Sequence, residues 1–331
     1  MGCLMKEFRK LISFGKNSFV ISLPKGWIIQ NKLIKGDLIH IEDDGQNLIL
    51  SREGSSSPVA DKRKVILVDN KSLEAVEREI NSCYILNYRT IVLKGEQIRT
   101  NIRNLQSLFH NLIALEVMEQ TPNTLVAKDF LNMDKVSVEE IIHKMDLVTR
   151  TMFNEGSKDF TEENYISVND RDRDVNRLYY LLYRAALFNL DNPLKAIKNF
   201  NLTAVDFVNF LLAGQFLEGI ADEIRRACRY CYRLTLNKEQ TAKLESYLES
   251  LKSYYLATMK VYYNRDIKNA LELAPKKGEL NHNLDELEKY FGDAANLGKA
   301  SARMRRMISF IHNMGRLVYQ GHNYFDKGDL D

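Results

Sequence analysis

VEEIIHKMDLVTRTMF at residues 138–153 and DVNRLYYLLYRAALFNL at residues 174–190 repeat apolar side chains three and four positions apart, the spacing of one buried helix face. Similar patterns continue to the C-terminus, and β-like runs vanish from Ser137 onward. The periodicity predicts helices with approximate cores at 137–157, 161–190, 203–233, 237–263, 279–291 and 295–323, with Asn192-Pro193 and Ala274-Pro275 as breaks. Helices this long joined by modest loops predict an antiparallel bundle over residues 136–331.

Toward the N-terminus the pattern changes. Residues 65–135 alternate VILV (65–68), a helical stretch (72–87), TIVLK (90–94), a second helical stretch (98–112), then strand-like LEVMEQ and LVAKDF, which predicts a small α/β domain. REGSSSPVADKRK, residues 52–64, has linker composition. In residues 1–51, FRKLISF and SFVISL have strand composition, Pro24 suits the first turn of a helix through Trp27 to Asn31, and LIHIE and NLILS flank a turn-rich stretch around Asp44-Gly45. A module of short strands this size cannot bury much apolar surface alone, so it is expected to complete its core by dimerising.

The whole chain of 331 residues exceeds one compact core, and its 45% hydrophobic and 27% charged fractions are those of a soluble globular protein. No apolar run approaches the roughly 18 residues of a membrane span, and the basic start MGCLMKEFRK is interrupted by charge before a secretion signal develops. Four cysteines in so long a chain make no disulfide framework, so a reducing, cytoplasmic location is expected. The net charge of +3 is small, but residues 1–36 hold seven Lys or Arg against the single acid Glu7, so 7 − 1 = +6.

That basic string, RKLISFGKNSFVISLPKGWIIQNKLIKGDLIHIEDDGQNLIL (9–50), resembles the AbrB/SpoVT family of swapped-hairpin DNA-binding domains. The matching features are Arg9-Lys10, the polar turn Gly15-Lys16-Asn17-Ser18, Ser22-Leu23-Pro24-Lys25 with Trp27, and Lys35-Gly36-Asp37 before the hairpin. The resemblance implies a barrel interleaved from two chains, and a DNA surface built from Arg9, Lys10, Lys16, Asn17, Ser18 and Lys25. Lysines there would meet phosphates, and the Arg9 fork suits guanine. The competing account is a solvated basic face on a module that only dimerises.

The helical region resembles PhoU, the negative regulator of phosphate uptake, and the order of basic β module, α/β segment and bundle is similar to that of archaeal PhoU-related proteins. DRDRDVNRLY (170–179) matches the acidic opening of a PhoU helix, and QFLEGIAD (215–222) matches the family's E-x-x-x-D helix. The resemblance implies a metal site, often iron or zinc, drawn from Asp170, Asp172, Asp174, Asn176, Glu218 and Asp222. Anchored on Val175-Asn176, Asp172 aligns with the first family carboxylate and Asn176 replaces the second. SARMRRMISFIHNMGRLV (301–318), where a second repeat would carry acids, has Arg303, Arg305 and Arg306 instead, so at most one cluster is expected. The competing account makes these acids a solvated, ion-paired helix face.

Cys228 and Cys231 form C-x-x-C inside a helical pattern, without a second pair or clustered histidines to complete a zinc site, and read as packing thiols. The six histidines are scattered, and Gly-rich phosphate loops and hydrolase motifs are absent from the sequence, so no enzyme is expected. The expected fold is multidomain α+β. The expected function is a DNA-binding regulator of phosphate homeostasis, homodimeric through its N-terminal domain, with a phosphate ABC transporter ATPase or a signalling kinase as further partner. The alternative is a protein-binding modulator of such a transporter whose β module only dimerises.

Overall fold

A computed structural model describes residues 8–15, 18–43, 48–52, 62–191, 193–292 and 296–320. The chain is mostly helical (67%) with its strands in the N-terminal part, an α+β layout. It divides into two compact units, Met1–Asp61 and Lys62–Asp331.

In the first unit, β1 (Ile12–Phe14) and β2 (Ser18–Val20) form one antiparallel pair, and β3 (Ile39–Asp43) and β4 (Leu48–Arg52) another. Between them lies α1 (Lys25–Gln30), following Pro24, whose fixed φ suits a helix entry. The turn after α1 is held by the Ile34 N–H donating to Asp37 Oδ2 at 2.9 Å, and Gly36 takes a φ of +100° that a side chain would resist. The two hairpins remain separate, and among the described residues no barrel is closed. Leu33 is the sole buried residue among those whose burial is described here.

The second unit opens with a four-stranded sheet ordered β5-β6-β8-β7, from β5 (Arg63–Leu67), β6 (Thr90–Lys94), β7 (Leu115–Thr121) and β8 (Thr124–Asp129). β5 and β6 run parallel because α2 (Leu73–Ile85) crosses between them, whereas β7 and β8 form an antiparallel hairpin. β5 therefore begins inside the stretch that composition assigns to the linker; residues 53–61 of that stretch lie outside the described residues. Asp69 caps α3 (Gln97–His110), accepting from the backbone N–H groups of Gln97 at 3.0 Å and Glu96 at 3.2 Å. Gly95 (φ +150°) is required beside it, since an added Cβ would lie 2.5 Å from Asp69 Oδ1.

The helices follow: α4 (Val138–Gly156), α5 (Glu162–Leu190), α6 (Pro193–Phe200), α7 (Ala204–Cys231), α8 (Lys238–Asn264), α9 (Ile267–Leu273), α10 (Lys276–Phe291) and α11 (Leu297–Gln320). Side-chain caps start the long ones: Ser137, Thr161, Thr203 and Asn237 each accept from a backbone N–H in the first turn. α7 is central, packed against α4, α5 and α11. Its glycines let neighbours approach: a Cβ on Gly219 would fall 2.9 Å from the Phe310 ring of α11. By length and composition alone α7 could cross a membrane; in this fold it packs as the inner helix of a bundle. One continuous core runs from Met133 to Met314.

Sheet and bundle are joined by a buried cation. Arg184 of α5 has 0% exposure, and its Nη2 donates to Asp129 Oδ2 at 2.6 Å while Nε donates to Asn87 Oδ1 at 3.0 Å. Its guanidinium also sits 4.6 Å above the Tyr84 ring. Asn87 reaches it from a left-handed backbone (φ +60°), which asparagine tolerates better than most residues.

Candidate functional site

The basic candidates of the first unit are exposed. Arg9 and Lys10 precede β1, Ser18 opens β2 opposite Phe14, and Lys25 is the first residue of α1. Lys16 and Asn17 lie outside the described residues. The same unit exposes large apolar side chains: Phe14, Phe19, Ile29, Ile34 and Leu38 are all more than half exposed.

In the second unit the sequence candidates separate. A helix turns about 200° over two residues, so Asp170 and Asp174 face away from Asp172. They are exposed and pair with Arg173 (3.3 Å) and Arg177 (3.7 Å), which removes them from the expected cluster. Asp172 and Asn176 share the inner face of α5, with Asn176 Nδ2 donating to Asp172 Oδ2 at 3.3 Å. Across from them α7 presents Glu218 and Asp222, one turn apart.

This cluster already contains its cations. Arg225 Nε lies 3.0 Å from Asp172 Oδ2, angled so that the N–H makes no hydrogen bond, and Arg225 Nη2 donates to Asp222 Oδ1 at 2.6 Å. Arg226 reaches Asp222 Oδ2 at 2.7 Å and Glu223 Oε1 at 3.3 Å. From α11, Arg303 and Arg306 come within 3.7 and 3.5 Å of Glu223, which is only 2% exposed. Arg305 turns instead to Asp285 and Glu288 of α10. Four acids (Asp172, Glu218, Asp222, Glu223) thus face four arginines (Arg225, Arg226, Arg303, Arg306), a balance of 4 − 4 = 0 when Glu218 is ionised.

Burial governs the proton affinities. The Glu218 carboxyl is pushed up to about 7, first by burial and then by the neighbouring Asp222 and Asp172 carboxylates. Burial also raises Asp172, against the pull of Arg225, and raises Glu223, against Arg226, Arg306 and Arg303.

A metal ion does not fit this donor set. Asp172 Oδ1 is buried without a hydrogen-bond partner, but Asp172 Oδ2 and both Asp222 oxygens are taken by guanidinium and amide groups. A cation would have to displace Arg225 or Arg226, and among the described residues no group of three or more His, Cys, Asp or Glu could hold one. Cys228 and Cys231 are free, buried thiols, with Cys228 pushed up to about 12 by burial, far from the reactive thiolate range.

Sequence spacing pairs Asp172 with Asn176 and Glu218 with Asp222. It misses Glu223, Arg225 and Arg226 as members of the same network, although the run DEIRR (222–226) carries the signal: acids three and four residues before arginines. No family model matches the chain, and neither a similar curated protein nor a similar solved structure was found.

Proposed function

We propose that this chain is a DNA-binding regulator of phosphate uptake and phosphate homeostasis, in which a PhoU-like bundle responds to phosphate status and an AbrB-like module dimerises and binds DNA. The observation that carries the reading is the first unit: cations at Arg9, Lys10 and Lys25 stand among apolar side chains that the single chain leaves uncovered. A second copy interleaving its strands would cover those side chains and double the positive charge on one surface. The sequence resemblance supplies the assignment to phosphate. The bundle contributes an inner acid–arginine network rather than a catalytic constellation, which suits a binding role.

Affinity for a mixed-sequence duplex, measured between about 50 and 200 mM salt, tests the DNA assignment. The log–log slope should flatten by about one for each phosphate deprived of its cation, and the combined Arg9→Ala, Lys10→Ala, Lys16→Ala, Lys25→Ala variant should bind at background. Unchanged affinity in that variant removes DNA binding from the reading.

A second reading, a modulator that binds only protein, is favoured by one feature. Val205, Val208 and Leu212 leave an exposed apolar stripe at helical spacing on α7, and Ile197 of α6 is exposed as well. In this reading the wild-type chain shows no salt-dependent DNA affinity.

A further inference from the structure

Away from the acid–arginine network, the start of α4, the first half of α7 and the end of α8 line a half-open cavity of about 290 Å³. Its walls are aromatic: Phe210 from α7, Tyr262 and Tyr263 from α8, and His143 from α4. Glu139 and Glu140 stand at its α4 side and Arg265 at its α8 side.

The rings are held before any ligand arrives. Tyr263 donates its hydroxyl to Asp146 Oδ2 at 3.0 Å, with His143 edge-on to its ring at 4.7 Å and Tyr262 edge-on at 5.6 Å. Asp146, only 1% exposed, is the anchor of this arrangement. It also accepts from Tyr255 at 2.6 Å and from Arg150 through Nε at 2.9 Å and Nη2 at 2.8 Å, so four donors fix its two oxygens. A carboxylate satisfied in this way cannot swing into the cavity, and the phenol it holds cannot rotate out of the wall.

Charge then selects the guest. Glu139, Glu140 and Asp146 against Arg150 and Arg265 leave a net of one negative charge, 3 − 2. Glu139 and Glu140 have an ordinary role at the positive end of α4, and the negative end of α8 sits opposite, so the two helix ends offset each other. Aromatic faces are electron-rich and attract a cation that sheds its water cheaply. An inorganic cation would keep its hydration, because the walls offer ring carbon rather than converging oxygens. An anion would meet the glutamates.

We propose that this cavity binds an organic monocation bearing an alkylated ammonium group, held against Phe210, Tyr262 and Tyr263 and balanced by Glu139 and Glu140. The site is independent of the DNA and phosphate assignments.

Calorimetric titration of the full-length chain with choline, and with 3,3-dimethylbutanol as its uncharged carbon counterpart, is the test. Choline should bind saturably, and the neutral counterpart at least about tenfold more weakly. Phe210→Leu keeps apolar volume while removing the ring, and should weaken choline by about tenfold or more with an unchanged melting temperature. The Glu139→Gln, Glu140→Gln variant should lose affinity for choline and leave the neutral compound as it was. Equal binding of the two compounds would make this a general apolar pocket and overturn the proposal. So would the absence of saturable choline binding, or a Phe210→Leu variant that binds choline as the wild type does.

Discussion

The two units of this chain use the same apolar residue types to opposite effect. In Met1–Asp61, Ile, Leu and Phe side chains are spread over short two-stranded pairs and one six-residue helix, and Leu33 is the single buried position among those described. In Lys62–Asp331, helices of 19 to 29 residues align such side chains along continuous stripes, and the resulting core takes nine buried apolar residues from α7 alone. Hydrophobic content does not make a core; a second layer does. The larger unit supplies its own layers, whereas the described residues of the smaller one leave most of their apolar side chains exposed.

The comparison breaks most visibly on truncation. A chain beginning at Lys62 should melt cooperatively and close to the full-length protein, and, if the first unit dimerises as proposed, should sediment as a monomer while the full-length chain sediments as a dimer. A truncated chain that remains dimeric at micromolar concentration would place the interface in the bundle, and the uncovered residues of the first unit would then need another explanation.

The self-sufficiency of the larger unit can be tested at Arg184. Arg184→Met keeps most of the volume but strips Asp129 of its closest cation, leaving Arg89 at 3.5 Å, and leaves Asn87 Oδ1 without its donor. Breaking one side of a buried pair costs about 3 to 5 kcal/mol, read as a lower urea midpoint. A loss under about 1 kcal/mol would mean that Arg89 suffices and that sheet and bundle are joined by apolar packing alone.

The order of strands and long helices was legible in the sequence because periodicity is a local property. VILV, TIVLK, LEVMEQ and LVAKDF all lie in or across observed strands, and the long helices begin within a residue or two of their capping side chains. Asn192-Pro193 reads as a break, yet Pro193 opens the short helix α6, since proline at a first helical position is compatible with both. α9 was also hidden, a seven-residue helix too short for periodicity to mark. The carboxylate centre was half legible. Spacing along one helix places Asp172 with Asn176 and Glu218 with Asp222, but it contains no information on which guanidinium crosses from another helix. Arg303 and Arg306 reach Glu223 from some 80 positions away, a packing outcome. Arg184 is invisible for the same reason: within LLYRAALF nothing distinguishes a buried arginine from a solvated one.

The smallest effect is a pH slope, and it assigns a titration to one unit. Glu218 is pushed up to about 7 by burial and by Asp222 and Asp172, with Arg226 and Arg225 opposing. A carboxyl whose folded pKa exceeds its unfolded value near 4.5 favours folding when neutral. That contribution is complete below the unfolded pKa, shrinks as pH rises from about 4.5, and is gone once pH passes the folded value near 7. Melting temperature should therefore fall between about pH 4.5 and 7, most steeply midway between the unfolded and folded values, and level off above pH 7, once Glu218 is ionised in both states beside the Asp222 and Asp172 carboxylates. Glu218→Gln removes the ionisation while keeping the shape, so it should flatten the slope and leave the variant more stable than wild type at the alkaline end. The same slope should persist in the chain beginning at Lys62, because every group that faces Glu218 belongs to that unit. A slope that survives Glu218→Gln but disappears on truncation would assign the titration to the first unit, and would show that the acid–arginine network is neutralised well enough to be indifferent to pH.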